Sequence, residues 1–220
     1  MERLYPLSLR LAGRRVLIVG GGVLAQQKLH GLEPTGAAVR LVARETAPGL
    51  GAGWPPERLE VHRRSFRSDD LDGCTLAFGA TDDAAVNRRV VEAARARGIL
   101  ANAVDDPAWC DFHTPAVVER HGVLFALSTS GGFPGLTRAL REVLEAWLPE
   151  EHGDVLQGLY ALRRALLTSP MPPAERGRVL RELARRIAAD YLTPAAAEAL
   201  SAAHGPTTET PRTNLQPERP

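Results

Sequence analysis

Residues Val16-Leu17-Ile18-Val19-Gly20-Gly21-Gly22-Val23-Leu24-Ala25 constrain this chain more than any other stretch. Four aliphatic residues in a row suit a strand buried on both faces, and the glycines that follow allow a turn no other residue makes as easily. Gly20 and Gly22 stand in the first two glycine positions of a G-x-G-x-x-G/A pattern, and Ala25 fills the third, where a small side chain lets helix and strand pack closely. A helix opening at this turn presents unpaired N–H groups and the positive end of its dipole, which together suit a pyrophosphate. The ligand implied is a dinucleotide.

The pattern is weak alone, and its surroundings decide its meaning. Arg15 to Val19 reads as the first strand, Leu24 to Leu32 as a helix ended by Pro34, and Val39 to Ala43 as a second strand after Gly36. That completes a β-α-β unit within roughly thirty residues, as the dinucleotide pattern demands. An α/β fold is therefore expected, with a Rossmann-like parallel sheet at its N-terminal end. Arg44 and Glu45 follow the second strand, where the adenosine ribose of such a ligand lies. Glu45 suits the free 2′-hydroxyl of NAD, whereas Arg44 suits a 2′-phosphate, so NADP stays open and NAD is the cofactor expected.

Further along, Pro48 to Pro56 reads as a loop carrying no function, and Leu59 to His62 as a brief edge strand. Cys74 to Gly79 is a strand, and Ala80-Thr81-Asp82-Asp83 leads from it into a helix over Ala84 to Arg97. Asp82 and Asp83 suit helix capping. Thr81 and Asp82 also stand at the carboxyl edge of the sheet, within a cofactor's reach. Ile99 to Val104 is the fifth strand, followed by Asp105-Asp106-Pro107. Beyond it the pattern changes to an antiparallel hairpin over 116–120 and 123–128, turning at His121-Gly122, and then to a helix over about Leu136 to Trp147. Helical segments from Asp154 onward are interrupted at Ser169-Pro170 and Thr193-Pro194, and a Pro- and Thr-rich tail from Gly205 is expected to be disordered. The divisions expected are a dinucleotide-binding domain at 1–112, a small α+β dimerisation segment at 113–150, a helical domain at 151–204 and the tail at 205–220.

Composition narrows the ligands. With 27 Lys and Arg against 26 Asp and Glu in 220 residues, a net charge of +1 makes no general case for nucleic acid or for an anionic membrane. No apolar run approaches the ~18 residues of a membrane span and no signal peptide is legible, so a cytoplasmic protein is expected. Cys74 and Cys110 lie far apart without a C-x-x-C partner and read as buried or incidental thiols. His113 and His121 read as loop residues, and no resident metal is expected.

The order of short motifs is itself informative: a Tyr-Pro-Leu start, Val-Gly-Gly-Gly with Ala25 and Lys28, Ala80-Thr81-Asp82-Asp83 with Asn87, Asn102-x-Val104-Asp105, Phe112 with Pro115-Ala116, then Ser128-Thr129-Ser130-Gly131-Gly132 before a helix bearing arginines. Over about residues 2 to 160 this resembles the precorrin-2 dehydrogenase / sirohydrochlorin ferrochelatase family, the N-terminal module of siroheme synthases, here in a stand-alone form. The resemblance implies NAD-dependent oxidation of precorrin-2 to sirohydrochlorin and, as in some members, insertion of Fe(II) as a substrate. It also implies a homodimer, joined through residues 114 to 150.

Certain residues carry over with it. The aspartate that the family relies on corresponds to Asp105, a carboxylate at the sheet's carboxyl edge that can accept a proton as hydride leaves, while Asp106 reads as the turn residue. The serine beside Gly-Gly corresponds to Ser130, next to Gly131, at the tetrapyrrole pocket. The family usually continues Gly-Gly-x-Ser-Pro, whereas Gly131-Gly132-Phe133-Pro134-Gly135 is one residue shorter. A polycarboxylate substrate needs local cations, for which Arg138 and Arg141 are the candidates. The rival reading is a regulatory module that senses NAD(H) and turns over no tetrapyrrole.

Overall fold

The computed structural model describes residues 4–130, 132–148 and 153–187. They form two compact units that meet in sequence between Thr114 and Pro115.

The first unit is a parallel sheet of five strands in the order β3-β2-β1-β4-β5, formed by β1 (Arg15–Val19), β2 (Ala38–Ala43), β3 (Leu59–Arg63), β4 (Cys74–Gly79) and β5 (Leu100–Ala103). The central strand β1 pairs Val19 with Val42 of β2 on one side and with Gly79 of β4 on the other. Its Val16, Leu17 and Ile18 are wholly buried, because helices cover both faces. Helix α1 (Val23–Leu32) packs Ala25, Leu29 and Leu32 with Val16, Ile18, Leu41 and Phe78. Helix α2 (Ala84–Arg95) packs Val90, Val91 and Ala94 with Leu17, Val19, Val42 and Ala77 on the opposite face. The strand order reverses between β1 and β4, and in such sheets the crevice at the carboxyl ends of the strands opens there.

The expected strands are all present, with β3 at an edge of the sheet. Helix α2 and strand β5 fall short of their expected bounds, β5 starting at Leu100 rather than Ile99. Helix α2 stops at Arg95 rather than Arg97 because Gly98, at φ +68°, turns the chain towards β5. Strand β5 ends at Ala103 because the chain leaves the extended conformation at Asp105.

The second unit begins with the antiparallel hairpin of β6 (Ala116–Arg120) and β7 (Val123–Leu127). Both turn residues, His121 at φ +53° and Gly122 at φ +79°, are left-handed, as the twist of a two-residue hairpin requires. Helix α3 (Pro134–Trp147) starts two residues earlier than expected, because proline is favourable in a first helical turn. At its other end Arg120 Nη1 donates to the carbonyls of Glu145 and Leu148 at 2.8 and 3.0 Å. Helices α4 (Gly153–Thr168) and α5 (Pro173–Ile187) follow, broken at Pro170 as expected. The break at Thr193-Pro194 and the tail from Gly205 lie outside the described residues.

Candidate dinucleotide site and its aspartate

The carboxyl edge of the first unit extends its hydrogen bonding past the strands themselves. Gly20 N donates to Val42 O at 2.9 Å, Ala80 N to Val19 O at 2.7 Å and Val104 N to Gly79 O at 2.9 Å. Three loops therefore leave the sheet side by side: Gly20-Gly22, Ala80-Asp83 and Val104-Asp106.

The three glycines of the first loop serve different needs. Gly20 has φ +139°, and a Cβ there would overlap the carbonyl of Ala80. A Cβ on Gly21 would overlap Glu45 O and stand 3.0 Å from Ala43 Cβ, while its own carbonyl accepts from Ala47 N at 2.7 Å. Gly22 is the opposite case, since nothing lies within 4 Å of its Cβ position. It is also the N-cap of α1, where no side chain caps the helix. Val23, 71% exposed, and half-buried Leu24 follow it, so the first-turn N–H groups face open space beside Gly22. That is the cradle a pyrophosphate requires, and Ala25, wholly buried under the helix, closes it from behind. Arg44 and Glu45 are exposed just past β2. The loop that follows is tied to the glycine helix, with Gly51 N donating to Gln26 Oε1 at 3.2 Å.

In the second loop the polar atoms of Thr81 are taken up locally. Buried Asn87 accepts from Thr81 N at 3.0 Å and from its hydroxyl at 2.7 Å, and donates from Nδ2 to Thr81 O at 2.9 Å. Asp83 caps α2 by accepting from Ala85 N and Val86 N. Asp82 stays exposed. Sequence reading gave Asn87 no role of its own. A Cβ on Gly79 would stand 2.8 Å from Asn87 Cα, so the glycine ending β4 admits the helix that carries this amide.

The third loop holds Asp105, exposed and at φ +62°. Asp106 was expected to make the turn. Instead Asp105 takes the left-handed conformation, and Asp106 is ion-paired with Arg88 at 2.8 Å. The conformation is braced from below. The Cys110 thiol lies 3.2 Å from Ala103 O and 3.3 Å from Asp106 O, one carbonyl on each side of Asp105. Burial pushes that thiol's pKa up, which keeps it protonated and able to donate. Asn102 Nδ2 donates to Phe112 O at 2.9 Å, and Asp111 accepts from Ala101 N at 2.9 Å while pairing with Arg95. Of the two readings, buried or incidental, Cys110 fits the first, and it serves as a structural clamp.

Ser130 and Arg138 belong to the second unit. Ser130 is also left-handed, at φ +51°, and its N–H donates to the Ser128 hydroxyl at 3.1 Å. Gly131 lies outside the described residues. Arg138 is 78% exposed and paired along its helix with Glu142, as Arg141 is with Glu145. Among the described residues no three His, Cys, Asp or Glu side chains are grouped to hold a metal ion.

Against known proteins, residues 7–116 match the family described as putative NAD(P)-binding. The siroheme synthase of Pseudomonas entomophila strain L48 is 41% identical over 173 residues, covering 79% of this chain and 37% of that protein. The siroheme synthase of Pseudomonas aeruginosa strain LESB58 is 37% identical over 205 residues, covering 90% and 43%. The chain spans about two fifths of the length of these relatives. The solved structure of SirC, a precorrin-2 dehydrogenase, superposes with a TM-score of 0.70 at 27% identity, covering 91% of this chain and 99% of that one.

Proposed function

This chain belongs to the putative NAD(P)-binding family, and from that premise we propose that it oxidises precorrin-2 to sirohydrochlorin with NAD. The likeness to siroheme synthases and to a precorrin-2 dehydrogenase supports this reading. The observation that carries it is the setting of Asp105: an exposed carboxylate at the same carboxyl edge of the sheet as the glycine cradle, one strand beyond the β4 loop, in a conformation that Cys110 and Asn102 hold in place. Backbone that departs from its preferred region and is braced on both sides is commonly found where geometry serves chemistry.

NAD bound along Gly20, Gly22, Val23 and Leu24 supplies the hydride acceptor. Glu45 accepts the ribose hydroxyls, and Arg44 flanks them. Thr81, held by Asn87, and the exposed Asp82 form the wall of the site. The oxidation removes a hydride and a proton from the substrate, and the Asp105 carboxylate accepts the proton. Ser130, Gly131 and Arg138 meet the substrate's carboxylates. In a second activity, Fe(II) enters as substrate and displaces two pyrrole protons, one accepted by the Asp105 carboxylate and the other released to water.

The working form is a homodimer in the cytoplasm. Its contact lies in 113–150, where Val117, Leu124, Leu136 and Leu140 are 41–49% exposed on the hairpin and α3. Residues 1–112 bind the dinucleotide, and α4 and α5 are the described part of the helical region that follows the hairpin.

Anaerobic mixing of the protein with NAD and precorrin-2 should give NADH absorbance and the sirohydrochlorin spectrum together. NAD binding without any turnover would overturn the proposal in favour of an NAD(H) sensor. Iron insertion has its own assay, in which Fe(II) or Co(II) is added to sirohydrochlorin.

A further inference from the structure

Lys28 lies in the second turn of α1, outside the glycine turn and the loops that carry Thr81 and Asp105. Its Nζ donates to Thr114 Oγ1 at 3.0 Å and stands 5.4 Å from the centroid of the Phe78 ring. Phe78 meets Phe112 edge to face at 5.4 Å. Thr114 and Phe112 belong to one strap, residues 110–114, which also carries the Cys110 thiol and the Phe112 carbonyl that brace the turn of Asp105. One side chain therefore joins the helix that opens at the glycine cradle to the strap beneath the aspartate.

Packing alone does not account for a lysine here. The ammonium is half-buried, and burial lowers its pKa, with the nearby carboxylate of Asp105 acting in the opposite direction. A methionine would cover Phe78 with as much apolar surface and no ammonium to desolvate. What methionine cannot supply is the directed bond to Thr114.

We propose that Lys28 is a positioning residue, a latch between α1 and the 110–114 strap that sets Asp105 against the dinucleotide bound at the start of the same helix. The proposal rests on the reading of Asp105 as the proton acceptor. Phe78 anchors the stem of the latch by its ring face, and Thr114 receives its tip. The latch lies wholly within the first unit, so its effect reaches Asp105 through at most two side chains.

Lys28→Met in the full chain should lower kcat by about tenfold or more, equivalent to about 1.4 kcal/mol. NAD affinity should stay within about twofold, and thermal stability should be equal or higher, since a desolvated charge is gone. Lys28→Arg should recover most of kcat. Thr114→Val should lower kcat in the same direction, and the double variant should be no worse than Lys28→Met, because both remove one bond. Hydrogen exchange of the amides at 103–112 should quicken in Lys28→Met. This last measurement needs no turnover and decides the latch even if precorrin-2 is not the substrate. Unchanged exchange there overturns the proposal. So does native kcat in Lys28→Met beside an inactive Asp105→Asn, or a kcat loss that comes with lower stability and resists Lys28→Arg. A fully active Asp105→Asn would instead remove the proton-acceptor reading, and with it the purpose of the latch.

Discussion

Gly20 and Gly22 stand two positions apart, yet a methyl group added to each should fail in a different way. At Gly20 it meets the Ala80 carbonyl on a backbone at φ +139°, so Gly20→Ala is expected to destabilise the fold by several kcal/mol and to yield little soluble protein. At Gly22 it meets nothing. Gly22→Ala should therefore fold with a thermal midpoint near the native one and lose NAD affinity, because its methyl stands in the space kept for the ligand. Calorimetry of unfolding together with an NAD titration separates the two. Asp105 allows a cleaner dissection, because its φ of +62° is one that glycine adopts freely. Asp105→Gly should keep stability within about 1 kcal/mol of the native chain and abolish turnover, with NAD affinity unchanged. Asp105→Ala retains the strained backbone and should be equally inactive. A glycine variant that turns over at the native rate would show that the carboxylate has no chemical part.

At the scale of elements, buried polar side chains hold the ends of strands and helices where the site needs them. Asn87, 3% exposed, satisfies three atoms of Thr81 from the first turn of α2. Asn87→Ala leaves those atoms without their partner and should cost about 2–3 kcal/mol, with weaker NAD binding as the loop after β4 loosens. On the far edge of the sheet, Asp70 is 3% exposed and accepts from both Arg64 nitrogens and from Arg67 N at 2.8 Å. Burial alone would raise its pKa, but the hydrogen bonds to Arg64 and Arg67 outweigh it and hold the carboxyl below its ordinary value. A depressed folded-state pKa stabilises the protein above the unfolded value of about 3.9 and loses that stabilisation as pH falls through the lower, folded one. Asp70→Asn should therefore reduce stability at neutral pH and flatten the acid limb below about pH 4, as followed by urea unfolding across pH.

For the whole molecule, the exposed leucines and valine of the hairpin and α3 make an association prediction. A dimer is expected in analytical ultracentrifugation at micromolar concentration, and Leu124→Glu with Leu140→Glu should shift it to monomer. A native chain that sediments as a monomer at that concentration would remove the homodimer from the proposal. The dinucleotide cradle lies within the first unit alone, so the monomeric variant should still bind NAD.

What was legible in the sequence followed from local and periodic physics. Continuous apolar runs mark strands buried on both faces, glycine and proline mark their ends, and the spacing of Gly20, Gly22 and Ala25 marks a helix start open to an anion. These depend on neighbours within a few positions along the chain. The anchors of the loop between β2 and β3, Gly21 and Gln26, are not legible in the sequence because they are some twenty-five residues distant. Cys110 reads from the sequence only as a buried or incidental thiol, because the carbonyls it bridges are brought to it only when β5 ends and the strap folds back beneath it. Asp105 and Asp106 are adjacent carboxylates that local propensity does not separate. In the fold Asp106 is ion-paired with Arg88 of α2, and Asp105 takes the turn. The sequence by itself determined that a parallel sheet would offer a dinucleotide its first helix. Which aspartate, thiol and lysine surround that offer was decided only by tertiary structure, because their bonds close between segments that hydrophobic burial must first bring together.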